Sequence, residues 1–321
     1  MQGSPPGGPP RVALALSTYR HAAHIEAALE GALAQTWPAL DVVISDDASD
    51  DGTWERVCER VGRYSGPHRL ITVRQGANVG AAKNFYGALE RTDAEFLVLA
   101  HGDDISQPHR VQRLAETWLD TGASLIASQV MTGPDPDRSK PLAPQSDPSG
   151  PISLGQLCQV SWSPRQLGAS FAFERRVLTE FGPFDRSRLP RGGDHVLPTR
   201  AALLGGFHYL SEPLLFWRRH PGQMTLQTAD FSGGEHSHGE TWRAYDLNGL
   251  LYRYDEIEGF EARHGTTPHL EEAKRILLAT IAEETGLWAG HRSGVEAEGA
   301  VLQFQARGNA VAANQVHRAS A

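Results

Sequence analysis

The sequence predicts an α/β protein: a mostly parallel sheet flanked by helices, followed by a helical C-terminal extension. Three observations predict it. Short apolar runs of strand length alternate with amphipathic stretches from Arg11 to Met131. Polar clusters follow those runs, where the carboxyl ends of parallel strands would lie. Beyond about Phe231, long stretches carry helical periodicity.

The strand candidates are "VALALS" (12–17), "LDVVISD" (40–46), "LITV" (70–73), "FLVLA" (96–100) and "SLIASQV" (124–130). Each is rich in Leu or β-branched residues. Between them lie "AHIEAALEGALAQT" (23–36), "TWERVCERVGRY" (53–64), "VGAAKNFYGALER" (79–91) and "HRVQRLAETWLDT" (109–121), with apolar residues at three- and four-residue spacing. Asp50, Asp51 and Gly52 supply a helix start before Thr53. Strands alternating with helices argue for a parallel sheet covered on both faces. The Pro- and Asp-rich segment 132–151 reads as a loop or lid. A second half follows, with apolar "ASFAFE" (169–174), a helix-like "GDHVLPTRAALLG" (193–205) and a strand pair around "FHYLSEPLLFWRR" (207–219). The expected organisation is a leader over 1–10, a domain over 11–230 (halves 11–131 and 152–230) and a helical extension over 231–321.

Composition narrows the function. Thirty Lys and Arg against 38 Asp and Glu give a formal net charge of −8, which argues against nucleic acid as a partner. Cys58 and Cys158 are too few for a disulfide framework or a zinc site, which fits a reducing cytoplasm. No apolar run approaches the roughly 20 residues that span a bilayer. "MQGSPPGGPP" lacks the regions of a signal peptide and reads as a disordered leader. The expectation is a soluble cytoplasmic protein, with peripheral contact to a membrane left open.

The stretch "FLVLAHGDDISQPHR" (96–110) places two adjacent carboxylates at the mouth of a buried strand. Like charges repel and resist burial unless something positive joins them, so the pair is either solvated or holds a cation. Four successive strands deliver such groups to one rim: Ser17 to Arg20, Asp46 and Asp47, "GANVG" (76–80), and His101 to Asp104. That rim suits a hydrogen-bonded ligand with a divalent metal. Familiar alternatives fail on sequence. "STYRHAA" after the first strand has no G-x-G-x-x-G, and neither a P-loop nor a G-x-S-x-G elbow occurs.

The opening segment from Val12 to Thr53 resembles inverting family 2 glycosyltransferases with the GT-A fold. The resemblance continues to about residue 228 through "NVGAAKN", "LAHGDDI", "LGASFAFERRVL", "GPFD", "GGDHVLPTRAALLGG" and "EPLLFWRRHPGQMT". It implies a Rossmann-like nucleotide-diphospho-sugar transferase sheet, a UDP- or dTDP-sugar donor, Mn²⁺ or Mg²⁺, and transfer with inversion.

The resemblance also implies roles. Ser17, Thr18 and Tyr19 would line the base and ribose pocket, and Asp46 would accept a hydrogen bond from the base. Asn78, Gly80 and Lys83 would approach the base and diphosphate. The family's usual D-x-D reads His101-Gly102-Asp103-Asp104 here, so histidine replaces the first acid. Asp103 would bind the metal, Asp104 would add an indirect contact, and His101 would meet the ribose or sugar. His220 would supply a further metal contact, and Arg218 and Arg219 would clamp phosphate oxygens. Asp194, in Gly193-Asp194 where the family has Glu-Asp, would be the base that deprotonates the acceptor. Asp185 reads as a turn anchor, while Asp50 and Asp51 read as turn and cap residues. Gly168, Ala169 and Ser170 would leave room under the sugar.

The acceptor would be a hydroxyl or amine on a glycan, a lipid-linked saccharide or a natural product. Trp242, Tyr245, Tyr252 and Tyr254 in the helical tail would pack, shape that pocket or form a homodimer. Two other readings stand beside this one: a nucleotide-sugar-binding protein with impaired chemistry, and a sugar-phosphate nucleotidyltransferase.

Overall fold

The computed structural model describes residues 10–38, 40–184, 193–223 and 240–289, with backbone alone for 240–245 and 285–289. Residues 1–9, Asp185, the side chains of Trp242 and Tyr245, and residues 290–321 lie outside the described residues. The chain forms two compact units.

The first unit takes residues 1–152, 164–183 and 204–221. Its elements are β1 (Val12–Thr18), α1 (Ile25–Leu33), β2 (Leu40–Asp46), α2 (Thr53–Gly62), β3 (Arg69–Arg74), α3 (Ala81–Leu89), β4 (Phe96–His101), β5 (Ile105–Ser106), α4 (Arg110–Thr121), β6 (Leu125–Gly133), β7 (Lys140–Pro141) and β8 (Gly150–Ile152). Along the chain there follow α5 (Leu154–Cys158), then β9 (Ala172–Glu174), α6 (Arg176–Thr179), α7 (Gly193–Leu204) and β10 (Phe207–Arg218), of which α5 and α7 up to Leu203 belong to the second unit. The strands form one sheet in the order β3-β2-β1-β4-β9-β6-β10-β5, with β7 beside β6 and β8 beside β10. β3, β2, β1 and β4 run parallel, as do β6 and β10, and the short strands enter antiparallel. The sheet is therefore mixed, with a parallel half formed by the first four long strands.

Apolar runs make this half because both faces are covered. Val12 to Leu16 and Val42 to Ile44 are buried, and α1 brings Ile25, Ala28, Leu29 and Ala32 to the same core. α4 adds Val111, Leu114, Ala115 and Trp118, whose ring stacks on Phe96 at 4.6 Å between centroids. β3 is the edge, and its exposed Arg69, Thr72 and Arg74 keep that edge polar. The chain runs outward from β1 to β3 and then returns to the other side of β1 as β4. The gap between the carboxyl ends of β1 and β4 is a topological switch point, where open α/β sheets bind ligands.

Two expectations need correction. Segment 207–219 is one strand and not a pair. Its register against β6 shifts between Leu210 and Pro213 and again between Pro213 and Leu215, and this bulge absorbs the turn-like Ser-Glu-Pro. β8 covers its first residues and β5 its last, so the strand behaves as two halves on that edge. Segment 132–151 is not wholly loop, since β7 and the start of β8 lie within it.

The second unit gathers residues 153–163 and 184–203 with the chain from 222 onward. It contains α5, most of α7, α8 (Glu240–His264) and α9 (Pro268–Ala289). Among the described residues, no helix is long and apolar enough to cross a membrane.

Candidate functional site

Register brings the predicted residues of the first unit together. Ser17 is level with His101 across the β1–β4 pairing, and Thr18 is level with Asp46 across β1–β2. Three loops then leave side by side, held by Gly102 N–H to Ser17 O at 2.9 Å, Asp47 N–H to Thr18 O at 2.9 Å and Gln75 N–H to Asp46 O at 2.8 Å. Gly102 is required here. A Cβ at that position would stand 2.3 Å from Thr18 Oγ1 and 2.8 Å from His21 Nδ1.

The β2 loop is built by its own acids. Asp46 is fully buried and accepts the Ser49 amide at 2.9 Å and the Ser49 hydroxyl at 2.5 Å. Ser49 Oγ also receives the Arg20 amide, and its carbonyl receives Arg74 Nη2. Asp46 thus sits beneath the loop that joins the first three strand ends. Asp47 accepts the Val79 and Gly80 amides at 2.8 and 2.9 Å, which fixes the "NVG" turn, where Gly80 has φ +87°. Asn78 and Lys83 are exposed on that turn and on α3, and Tyr19 is half-buried. Asp51 receives the Ala22 and Thr53 amides, and Asp50 pairs with Arg20 at the surface. Asn84 was not singled out in the sequence. Buried, it donates to Ser45 O at 2.9 Å and accepts from Ser45 Oγ at 2.6 Å, tying α3 to the end of β2.

The two central carboxylates separate in role. β5 pairs with β10 so that Ile105 faces Phe216, and this pairing carries Asp103 and Asp104 toward Arg218 to His220. Asp103 Oδ2 lies 3.1 Å from His220 Nε2 and 3.6 Å from His21 Nε2. Burial pushes the Asp103 carboxyl up. The His220 hydrogen bond and the nearby imidazoles of His21 and His101 outweigh that and hold it well below the usual carboxylate range. Asp104 is buried more deeply. It accepts the Arg218 amide at 3.1 Å and lies 3.4 Å from His101 Nδ1. Burial and then the Asp103 charge push it up to about 6. One carboxylate is therefore kept ionised at the mouth while its neighbour is wedged into the frame. Arg110, buried beside Asp104, donates to Ala169 O at 2.8 Å and so fixes the Gly168–Ser170 turn. Arg218 donates Nε to Asp103 O, and the Arg219 guanidinium lies over the Trp217 ring.

Among the described residues, no group of three His, Cys, Asp or Glu side chains is arranged to hold a metal ion. Asp103 and His220 offer one carboxylate oxygen and one imidazole nitrogen. That two-donor set fits a cation that takes its remaining ligands from a diphosphate and water.

The sequence profile described as glycosyl transferase family 2 matches residues 14–182. The chain belongs to this family. An uncharacterised glycosyltransferase of Nostoc sp., alr2836, is 24% identical over 228 residues, which is 68% of each protein. Rv1520 of Mycobacterium tuberculosis is 35% identical over 88 residues, and the match spans 27% of this glycosyltransferase and 25% of the relative. Among solved structures, S. aureus TarS 1-349 in complex with UDP-GlcNAc superposes with a TM-score of 0.65 at 15% identity, over 92% of this chain and 79% of that one. The Pyrobaculum calidifontis mannosyltransferase PcManGT, in complex with GDP-Man and Mn²⁺, gives 0.53 at 19%, over 98% and 84%. These identities carry the fold, which is GT-A.

The glycosyltransferase's remaining candidate, Asp194, belongs to the second unit, half-buried in the first turn of α7. Pro198 has no N–H to offer the Asp194 carbonyl four residues back. The adjacent His195 is buried, with Nδ1 3.1 Å from Ser161 O and Nε2 3.5 Å from Asp246. Arg253, fully buried, donates to the carbonyls of His195, Leu157, Val160 and Ser161. Tyr252 packs with Val196 and Phe184, and Tyr254 is buried.

Proposed function

We propose that this chain is a metal-dependent, inverting glycosyltransferase. It moves a sugar from a UDP- or dTDP-sugar to a hydroxyl or amine on a glycan, a lipid-linked saccharide or a natural product. The observation that carries the reading is Asp103, kept ionised at the switch point with His220 Nε2 against it. The UDP-GlcNAc bound to one structural relative and the GDP-Man with Mn²⁺ bound to another support a nucleotide-sugar donor and the cation; of the two, only the first supports a uridine nucleotide.

Asp103 and His220 would hold the cation. When bound, it supplies positive charge against the diphosphate that leaves. The chain's own part is orientation and proton transfer. Ser17 and Tyr19 would offer a hydroxyl and an aromatic face to the nucleoside, Thr18 is buried with its hydroxyl against His21 and holds the turn beneath them, and the Arg110-anchored turn at Gly168 to Ser170, with its small side chains, would lie under the sugar. The acceptor oxygen forms a bond to the anomeric carbon as the bond to the phosphate oxygen breaks on the opposite face. Asp194 takes the acceptor's proton.

A panel of UDP-, dTDP- and GDP-sugars, with and without Mn²⁺, tests this by thermal shift and donor hydrolysis. One donor should stabilise the protein only with metal. Asp194→Asn should keep that stabilisation and lose transfer by about 10²-fold or more, the usual contribution of a general base. Unchanged turnover in Asp194→Asn removes the assigned base, and a panel in which nothing binds removes the function.

A further inference from the structure

His195, next in the chain to Asp194, is held at both its backbone and its ring. Asp246, Gly249 and Arg253, at helical spacing on one face of α8, meet it. Arg253, fully buried, donates Nε to the His195 carbonyl and Nη2 to Ser161 O at 2.7 Å. His195 Nδ1 meets that same Ser161 oxygen at 3.1 Å. Burial, then the Arg253 charge, keeps the ring neutral. A carbonyl can only accept, so Nδ1 carries the proton and the bare Nε2 faces Asp246 Oδ1 at 3.5 Å. The backbone and the side chain of residue 195 are thus tied into one closed circuit through Arg253 and Ser161. Gly249 completes the fit, since a Cβ there would stand 2.9 Å from Cγ and Nδ1 of the ring. The helix ladder of α7 offers less at this end. First-turn amides have no acceptor within their own helix, and Pro198 has no N–H for the carbonyl of residue 194.

Resting on the reading that Asp194 takes the acceptor's proton, we propose that His195 is the positioning residue for that base and that α8 sets its place. At 3% exposure the ring acts only through its neighbour. It fixes the backbone one residue from the carboxylate, and a misplacement of about 1 Å at a reacting group costs about 10²-fold in rate. The C-terminal helices thereby take part in transfer, by seating the base.

Turnover of UDP-GlcNAc with Mn²⁺, or of whichever sugar the donor panel selects, tests this in variants of the full chain. His195→Phe keeps the bulk of the ring and loses its bond to Ser161. Its kcat should fall about 10²-fold while the donor KM stays within about twofold. Gly249→Ala pushes the ring with its partners intact and should lower kcat about tenfold. Alanine suits a helix, so this variant keeps the test available if His195→Phe does not fold. His195→Asn, whose side-chain amide replaces Nδ1–H, should recover most of the loss. In the double variant Asp194→Asn/His195→Phe the second change should cost nothing further, because a residue that acts through Asp194 has nothing left to act on. Circular dichroism confirms that each variant is folded. Wild-type kcat in folded His195→Phe or Gly249→Ala, a loss carried by donor KM, or losses that multiply in the double variant would overturn the role of His195 and leave Asp194 standing as the base. Full turnover in Asp194→Asn, or a panel without turnover, overturns the reading and the inference together.

Discussion

At the scale of single residues, the adjacent acids of the rim show how one dipeptide serves two purposes. Asp103 faces imidazoles and stays charged, whereas Asp104 is buried, accepting the Arg218 amide. Asp103→Asn keeps the shape and removes the charge. It should weaken Mn²⁺ binding at least tenfold and lower transfer by about 10²-fold, as isothermal titration and a donor-consumption assay would read. Asp103 and His220 were legible in the sequence because both lie in ordered motifs. Asp46 was legible as an acid at a strand end, but not as one turned under its own loop. That outcome depends on Ser49 and Arg74, whose meeting is set by the β2–β3 register. His21 gave no signal, since a lone histidine after a strand looks the same wherever it points.

At the scale of elements, the site is a product of strand registers. Gly102 closes β4 against β1 with no room for a side chain, so Gly102→Ala must displace Thr18 and His21 together. The expected cost is about 1–3 kcal/mol of stability in urea unfolding, with a parallel loss of Mn²⁺ affinity. In the second unit, Arg253 on α8 supplies the donors for four carbonyls on two other segments. Arg253→Met leaves those carbonyls buried without their donors and should cost about 3–5 kcal/mol by the same measurement. Strands β1, β2 and β4 were readable to within a residue, because a parallel strand covered on both faces must be continuously apolar. β10 was not, because a proline bulge inside a strand has the composition of a turn. The pairing of β5 with β10, which completes the site, joins segments too short and too distant in sequence for periodicity to reveal.

At the scale of the whole molecule, the two units interleave along the chain, the second drawing on residues 153–163 and 184–203 before its C-terminal helices. A buried ionisable pair in that unit makes stability depend on pH. Burial, then Glu284, pushes Asp246 up to about 7 from 3.8, so the folded chain keeps a proton that the unfolded chain gives up. Its contribution is full below about pH 4 and is lost as pH rises toward 7. Burial, then Arg253, pushes His195 down to about 3 from 6.5, so its contribution is lost as pH falls from 6.5 toward 3. Asp246→Asn, which stays neutral at every pH, should raise the melting temperature relative to wild type at pH 8, with little or no gain at pH 5. The helical tail was legible from its periodicity. Its union with mid-chain segments was not, since it rests on contacts between residues far apart in sequence, among them Arg253 reaching carbonyls about 90 residues upstream, Thr280 bonding Cys158 O and Arg200 pairing with Glu256. The separation of Asp103 from His220 by 117 positions has a consequence for synthesis. At about 5–20 residues per second, a ribosome adds the carboxylate roughly 6–23 s before it adds the histidine. A half-made chain thus carries the anion without its partner, and the nascent protein has no finished cradle with which to sequester manganese or activated sugar until translation has passed His220.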